Sequence, residues 1–547
     1  MPKTYVFLSL SNAKYTETNL QIDIQTPNQK LRLCLFNDKE TSINKPLKPS
    51  LRSSTSRIQS SEYTDPLKLR KNPSNHLSLL CLKAMACDKS FCSNYLLLSP
   101  EKAGVIDLLR ILIYSNVHKR EFLDCSEEGE ESFERRWIMF VSILGQKLLL
   151  LVAKPLSLIG SVIKFLLNLL SSNRNFGRLL VNCFRGKVVM PDRESGSYTS
   201  IVGYLDKRVE LDNRIRPGDS EYHAALSMMA SKVSYENKAY LQTTITHHWQ
   251  MDFLGSYNFW NDYQRKVTTH AFMLRDRDTI MVAFRGTEPF NAADWCLDFD
   301  LSRYELPGAG NIHGGFMKAL GLQKTLGWPK ELDPLLKTPA PFAYYAIRDK
   351  LRSLLGENDK VKYVLTGHSL GGALAILFPA ILAIHGETWL MERLEGVYTF
   401  GQPRVGDDKF GEFMERVLKE YRIAYFRFVY ANDIVPRLPF DDSASMFTHF
   451  GRCCYFNSKY QGKVIPEEPN KNYFSPLPMI PMMINAWYEL MRSFVITWEK
   501  GPSYKEGLLL RIVRVIGLLI PGIPAHTPQD YVNSTRLGGS QLFLHQQ

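Results

Sequence analysis

From about residue 196 onward, short apolar runs alternate with amphipathic stretches. Tyr222-His223-Ala224-Ala225-Leu226 opens a helical pattern that reaches about Asn237, with Asp219 placed to cap it. Thr269 to Leu274 and Thr279 to Phe284, separated by Arg275-Asp276-Arg277-Asp278, predict a β-hairpin. Val361 to Leu365, Gly396 to Phe400 and Ala424 to Tyr430 predict further strands, with helical stretches between them. Strands alternating with helices imply an α/β sheet covered by helices. No internal repeat is present.

Two segments break this pattern. Residues 137–170 are largely apolar, with Lys147, Lys154 and Lys164 as the only charges, and Pro155 lies at the middle. An internal proline predicts a break or kink there. Arg135 and Arg136 precede the run and Arg174 and Arg178 follow it, so both ends are expected on the same, cytosolic side. The pattern predicts a helical hairpin or in-plane helices in a lipid surface over 135–180, with snorkelling lysines. A pair of long buried helices is the competing reading. Residues 476–525 are also apolar, with Arg511 and Arg514 sharing one helix face. A substrate groove, a membrane contact and a cap on the core are equally compatible with this insert.

Residues 1–84 are polar, with Ser53-Ser54-Thr55-Ser56 and scattered prolines, and read as a disordered extension ahead of a region at 85–134. A start at Met85 and a transit peptide are the other readings of this stretch. The 547 residues allow two to four domains, and 45% hydrophobic residues exclude a wholly disordered chain. A net charge of +12 admits anionic membranes and nucleic acid as partners. Nucleic acid is disfavoured, because the basic residues are dispersed without an aromatic-interleaved stripe. Nine cysteines without a CxxC pair, and an N-terminus without a secretory apolar core, point to a reducing, cytosol-facing location.

The chemistry concentrates in Val364-Leu365-Thr366-Gly367-His368-Ser369-Leu370-Gly371-Gly372-Ala373-Leu374-Ala375. An apolar strand enters G-x-S-x-G and a small-residue helix leaves it, the context of a nucleophile elbow made by Gly367, His368, Ser369 and Gly371. Serine needs a base that is itself oriented by a carboxylate. Asp433, past the end of the 424–430 strand and between apolar neighbours, is the candidate orienter. Asp407, Asp408, Asp441 and Asp442 read as solvated loop carboxylates. His385 sits too soon after the elbow and His545 too near the C-terminus. His526, in a loop between Pro524 and Pro528, is the preferred base, with His449 in reserve. The amides of Leu370 and Thr287 are candidate oxyanion donors, and Pro289 to Trp295 a candidate lid.

FRGT at 284–287, IHGGF at 312–316, TGHSLGGALA at 366–375, TFGQPRVGD at 399–407 and NDIVPRLP at 432–439 together resemble the class 3 lipases. The RRW…KPL…LLNLLSSN segment at 135–173 resembles that of plant oil-body triacylglycerol lipases, and the likeness extends over about 85–540. It implies an α/β-hydrolase fold over 196–547, with Ser369, Asp433 and His526 as triad and Thr287 and Leu370 as oxyanion hole. His526-Thr527-Pro528-Gln529-Asp530-Tyr531 matches the family's H-x-x-x-x-Y, which favours His526 over His449. The family lid falls near Pro289–Leu301. The likeness implies neutral lipid as substrate, a lipid-droplet or endoplasmic-reticulum surface as location, and neither metal nor organic cofactor. A phospholipase A1 or galactolipase is the alternative within the same chemistry, and a non-catalytic droplet protein the alternative outside it. Residues 1–84 have no counterpart, and the interval from Asp433 to His526 is long for the family at large.

Overall fold

A computed structural model describes residues 13–16, 19–26, 29–36, 92 and 94–543, except 117–119, 127–131, 325–326, 440–446, 468 and 470–472. Met85, Asp441, Asp442 and His545 lie outside the described residues. The chain forms two compact units, Met1–Asn72 and Pro73–Gln547. In the first, β1 (Ala13–Thr16), β2 (Asn19–Thr26) and β3 (Gln29–Phe36) make an antiparallel meander. These strands lie within 1–84, the stretch expected as a disordered extension. Leu20, Ile22 and Ile24 alternate with Gln21, Asp23 and Gln25, and Leu31, Leu33 and Leu35 recur at every second position, which is the period of a strand.

The second unit contains β4 (Asn94–Leu98), β5 (Leu123–Cys125), β6 (Asp252–Asn261), β7 (Lys266–Asp276), β8 (Thr279–Phe284), β9 (Arg303–Leu306), β10 (Gly310–His313), β11 (Lys362–His368), β12 (Leu394–Phe400), β13 (Ala424–Tyr430), β14 (Arg452–Phe456) and β15 (Gly462–Ile465). The helices that bear on the site are α1 (Val105–Ile113), α2 (Phe133–Ser172), α3 (Ile201–Leu205), α4 (Tyr222–Val233), α5 (Ala292–Asp298), α6 (Leu370–Ile384), α7 (Pro476–Lys500), α8 (Leu508–Ile516), α9 (Gly522–Ala525) and α10 (Pro528–Phe543).

Eight strands form the central sheet in the order β15-β14-β13-β12-β11-β8-β7-β6. The pairs from β8 through β14 are parallel, while β6, β7 and β15 add antiparallel edges. The predicted hairpin is β7–β8, closed between Asp276 and Thr279. Alternate side chains divide the sheet between two cores. Val282, Phe284, Leu365 and Val397 pack with α6 on one face. Met281, Ala283, Val364 and Phe400 pack with α4 and α10 on the other. Asp219 does not cap α4: its carboxylate accepts from the Arg216 amide at 2.6 Å, and Glu221 is the residue before the helix.

A second sheet, β10-β9-β4-β5, joins the early residues to the 303–313 hairpin, because β4 supplies the missing partner at the β9 edge. The sequence divisions at 85–134, 135–180 and 196–547 thus do not separate compact units.

The expected hairpin over 135–180 is also corrected: α2 is one continuous helix of 40 residues that runs through Pro155. Proline removes one intrahelical bond but does not end a helix fixed at both sides. Before it, Met139 and Ile143 pack with α1 in a small core, and Lys147 Nζ donates to the carbonyl of Pro100 at 3.0 Å. After it, Asn168 Nδ2 donates to Thr199 O at 2.9 Å. Lys147 therefore satisfies backbone carbonyls instead of snorkelling. Leu148, Leu151, Leu158, Val162 and Leu166 stand exposed along one face, and α2 is long and apolar enough to cross a membrane.

The 476–525 insert is inverted relative to an ordinary surface helix, with its charges inside. Arg514 on α8 donates to both Glu506 oxygens at 2.5 and 2.7 Å and to both Asp530 oxygens at 3.0 and 3.1 Å. Arg492 on α7 donates to Asp530 Oδ1 at 3.0 Å and to Tyr430 Oη at 2.8 Å. Asp530 lies four residues beyond His526, so this buried network fastens the insert to the segment that carries His526. Arg514→Met would leave Glu506 and Glu489 with a buried charge deficit. The expected loss is about 3–5 kcal/mol of unfolding free energy, read by urea denaturation. A loss below about 1 kcal/mol, the value of a solvated pair, would contradict the burial argument.

Candidate active site

β11 delivers the chain to Ser369, and α6 begins at the next residue. Ser369 sits at φ 60°, ψ −133°, a conformation that costs a non-glycine residue about 1–3 kcal/mol. The turn tolerates no side chain at its flanks. A Cβ on Gly367 would fall 2.1 Å from Gly371 C, and one on Gly371 would fall 2.3 Å from Phe284 O. The glycines expected for an elbow are thus demanded by contact.

Asp433 occupies the turn after β13, fully buried. Its Oδ1 accepts the Val435 amide at 2.9 Å, and its Oδ2 accepts the Tyr531 hydroxyl at 2.5 Å. His526, at the end of α9, places Nδ1 2.8 Å from Asp433 Oδ2 and 3.0 Å from Oδ1. A carboxylate only accepts, so Nδ1 carries a proton, and in the neutral imidazole Nε2 then keeps its lone pair. His449 instead meets the Pro436 carbonyl through Nε2 at 2.7 Å. The Ser369 amide donates to Phe400 O at 2.9 Å, while Gly401 lies against both Asp433 and His526. Residues 400–401 therefore gather all three candidates at the C-terminal ends of adjacent parallel strands, where open sheets place their sites.

His368 supports this arrangement from within the elbow. Its Nε2 donates to the His526 carbonyl at 2.9 Å, so its Nδ1 accepts from the Tyr235 hydroxyl at 3.0 Å. Burial, and then the neighbouring His526, push the His368 pKa well below its ordinary value and keep it neutral. The two imidazole rings stack with centroids 4.5 Å apart.

Leu370 opens α6, where the first amides have no intrahelical acceptor. Across from it, a Cβ on Gly286 would fall 3.0 Å from Ser369 Cβ, so the 286–287 backbone reaches the nucleophile directly. Thr287 is buried and its hydroxyl donates to Asp298 Oδ2 at 2.8 Å. Burial pushes the Asp298 carboxyl up to about 7, with nearby Asp294 adding to the rise, against the Thr287 bond and His526.

The expected lid becomes Pro289 to Asn291 followed by α5, and it is fastened to α2. Gly160 of α2 is so close to the segment that a Cβ there would fall 2.5 Å from Phe290 Cβ. Ser142 Oγ donates to Phe299 O at 2.6 Å. A cavity of about 700 Å³ opens between the two, lined by Leu158, Gly160, Lys164, Tyr235, Phe290 and Ala292. Ser369 itself is buried.

Sequence reasoning missed three contributors. Gly401, at φ 58°, would carry a Cβ 2.8 Å from Asp433 Oδ2 and 2.9 Å from His526 Nδ1; its position just past a strand was the available signal. Tyr235 and Asp298 carry no local pattern that marks them. Asp407, read as solvated, is buried and caps a helix through the Phe410 amide at 2.9 Å while holding Asn311. Among the described residues no cluster of His, Cys, Asp or Glu is arranged to hold a metal ion.

Residues 281–443 match the family model of lipase (class 3). The triacylglycerol lipase OBL1 of Nicotiana tabacum is 38% identical over 541 residues, covering 82% of this chain and 95% of that protein. Its namesakes from Arabidopsis thaliana and Ricinus communis are 39% and 35% identical, each with the same two coverages. A likeness of this extent spans the apolar N-terminal helix as well as the α/β-hydrolase domain. The chain belongs to the class 3 lipases, in the branch that contains the plant triacylglycerol lipase OBL1 proteins.

Proposed function

We propose that the chain hydrolyses triacylglycerol esters at a cytosol-facing lipid-droplet surface, releasing fatty acid through an acyl-enzyme. The observation that carries this reading is His526 Nδ1 placed 2.8 Å from Asp433 Oδ2 beside the Ser369 elbow. Its extension to triacylglycerol rests on the OBL1 relatives. In this reading Ser369 Oγ attacks the ester carbonyl while His526 Nε2 takes its proton, and Asp433 steadies the resulting imidazolium. The amides of Thr287 and Leu370 receive the oxyanion, and the proton then passes to the leaving glyceryl oxygen. Water, deprotonated by the same nitrogen, releases the fatty acid. The Pro289–Leu301 segment would cover the site in the absence of lipid, and α2 would hold the enzyme on its insoluble substrate.

The test is fatty-acid release from trioleoylglycerol emulsion and from phosphatidylcholine vesicles, with the Ser369→Ala chain as blank. Emulsion hydrolysis above the blank supports the proposal. Hydrolysis of vesicles alone would assign a phospholipase, and equality with the blank on both would leave a non-catalytic droplet protein.

Asp298 gives this reading a pH signature. Below about pH 7 its carboxyl is protonated and accepts the Thr287 hydroxyl weakly. As pH rises through 7 it ionises and fixes the threonine. The acid limb of kcat/KM then contains the proton of Asp298. Asp298→Asn is expected to remove that proton from the limb and to lower activity at pH 8 by roughly tenfold, the worth of one hydrogen bond to a charged group. An unchanged limb would detach Asp298 from the site.

A further inference from the structure

We infer that α7 and α8 form a second lipid-docking surface, beside the one on α2 and contiguous with the catalytic histidine. This deepens the proposed function and rests on it for the identity of the substrate. Leu477, Ile480, Ile484, Trp487, Met491 and Phe494 recur along α7 every three or four residues, and all are exposed. Such spacing puts them on one helix face. The opposite face carries Glu489, Arg492 and Ser493, all buried. On α8 the pattern repeats: Leu508, Ile512 and Val515 face out, while Arg514 is buried against Glu506. A helix in water shows its charges outward and its apolar stripe inward. Here two neighbouring helices do the reverse, and the covering phase must be apolar.

Three observations select a lipid surface as the occupant. The stripe continues through exposed Leu519 and Ile520 to Ile523, three residues before His526, so a phase touching it reaches the mouth of the site. α8 and the exposed helix α2 both pack on α3, which brings the two apolar faces to one small helix. The border carries cations and amphipathic aromatics: Lys500 and Lys505 are exposed, Trp498 is 85% exposed, and the Arg511 guanidinium lies 4.5 Å over the Phe494 ring. That is the composition of a helix lying in an interface plane, its tryptophans at headgroup level and its cations drawn toward phosphates.

The experiment uses the full-length chain with Ser369→Ala, so that the surface is not consumed, and trioleoylglycerol droplets coated with phosphatidylcholine. With brominated phosphatidylcholine in the coat, tryptophan fluorescence should be quenched, and Trp487→Phe with Trp498→Phe should remove a large part of that quenching. In flotation, Ile480→Ser with Ile484→Ser and Met491→Ser should weaken droplet binding at least tenfold. The same three changes on the Ser369 chain should leave hydrolysis of soluble p-nitrophenyl butyrate unchanged, which controls for folding. Unchanged binding together with unchanged quenching would overturn the inference. So would a wild-type dimer that the three changes convert to a monomer, since the face would then be covered by a second copy. Droplet binding lost in the variant supports the surface even where the Ser369 chain releases no fatty acid, which separates this inference from the proposed activity.

Discussion

Ser369→Ala is expected to lower kcat for ester hydrolysis by about 10⁶-fold, the scale on which removing a serine nucleophile acts in a triad. The change deletes one oxygen and leaves the elbow intact, because the backbone at φ 60° is held by contacts of Gly367 and Gly371 and by the Ser369 amide on Phe400 O. Stability should hold or rise slightly, and KM on a soluble ester should change little. Stopped assays on p-nitrophenyl butyrate read the rate, and thermal unfolding reads the fold. A loss of less than about a hundredfold would mean that another nucleophile carries the reaction.

Asp433→Asn is the second large effect, expected at about 10⁴-fold in kcat. The carboxylate accepts three hydrogen bonds, from Val435 N, Tyr531 Oη and His526 Nδ1. An asparagine can accept only through its oxygen. If that oxygen stays on the Val435 amide, the NH₂ group faces Nδ1 and forces the His526 proton onto Nε2, where it blocks abstraction from Ser369. If the amide flips, the Val435 donor is left buried without its partner. The first arrangement misplaces the base, and the second keeps its orientation but gives up the negative charge that steadies the imidazolium. Rates at pH 8 would show the loss, and Asp433→Glu should also be poor, since Gly401 leaves no room beside the carboxylate. A decrease of less than about tenfold for Asp433→Asn would remove Asp433 from the orienting role.

The strands β8, β11, β12 and β13 were legible because buried parallel strands are short, nearly continuous apolar runs, and each was bounded by turn residues. The elbow was legible because contact geometry forbids side chains at fixed offsets around one serine. Reading failed where a neighbour distant in sequence decides. Asp407 looks like any loop carboxylate until Asn311 and the Phe410 amide meet it. Asp219 fails for a local reason: it has the composition of a cap, but its carboxylate is taken by the Arg216 amide three residues before it. Pro155 reads as a break, and α2 continues because packing on both sides fixes the backbone through it.

By itself the sequence determined the candidate chemistry: a serine in a turn only glycines can make, a carboxylate at the next strand but one, and a histidine followed five residues later by a tyrosine. Those features depend on local spacing and on residue type, which a chain carries wherever it folds. The tertiary structure alone decided how the apolar segments are used. Whether a greasy helix is core or surface depends on which face its charges occupy, and that is fixed by partners far away. Arg514 and Arg492 turn inward because Asp530 and Glu506 wait there, and their pairing sends the leucines, isoleucines and tryptophans of α7 and α8 outward.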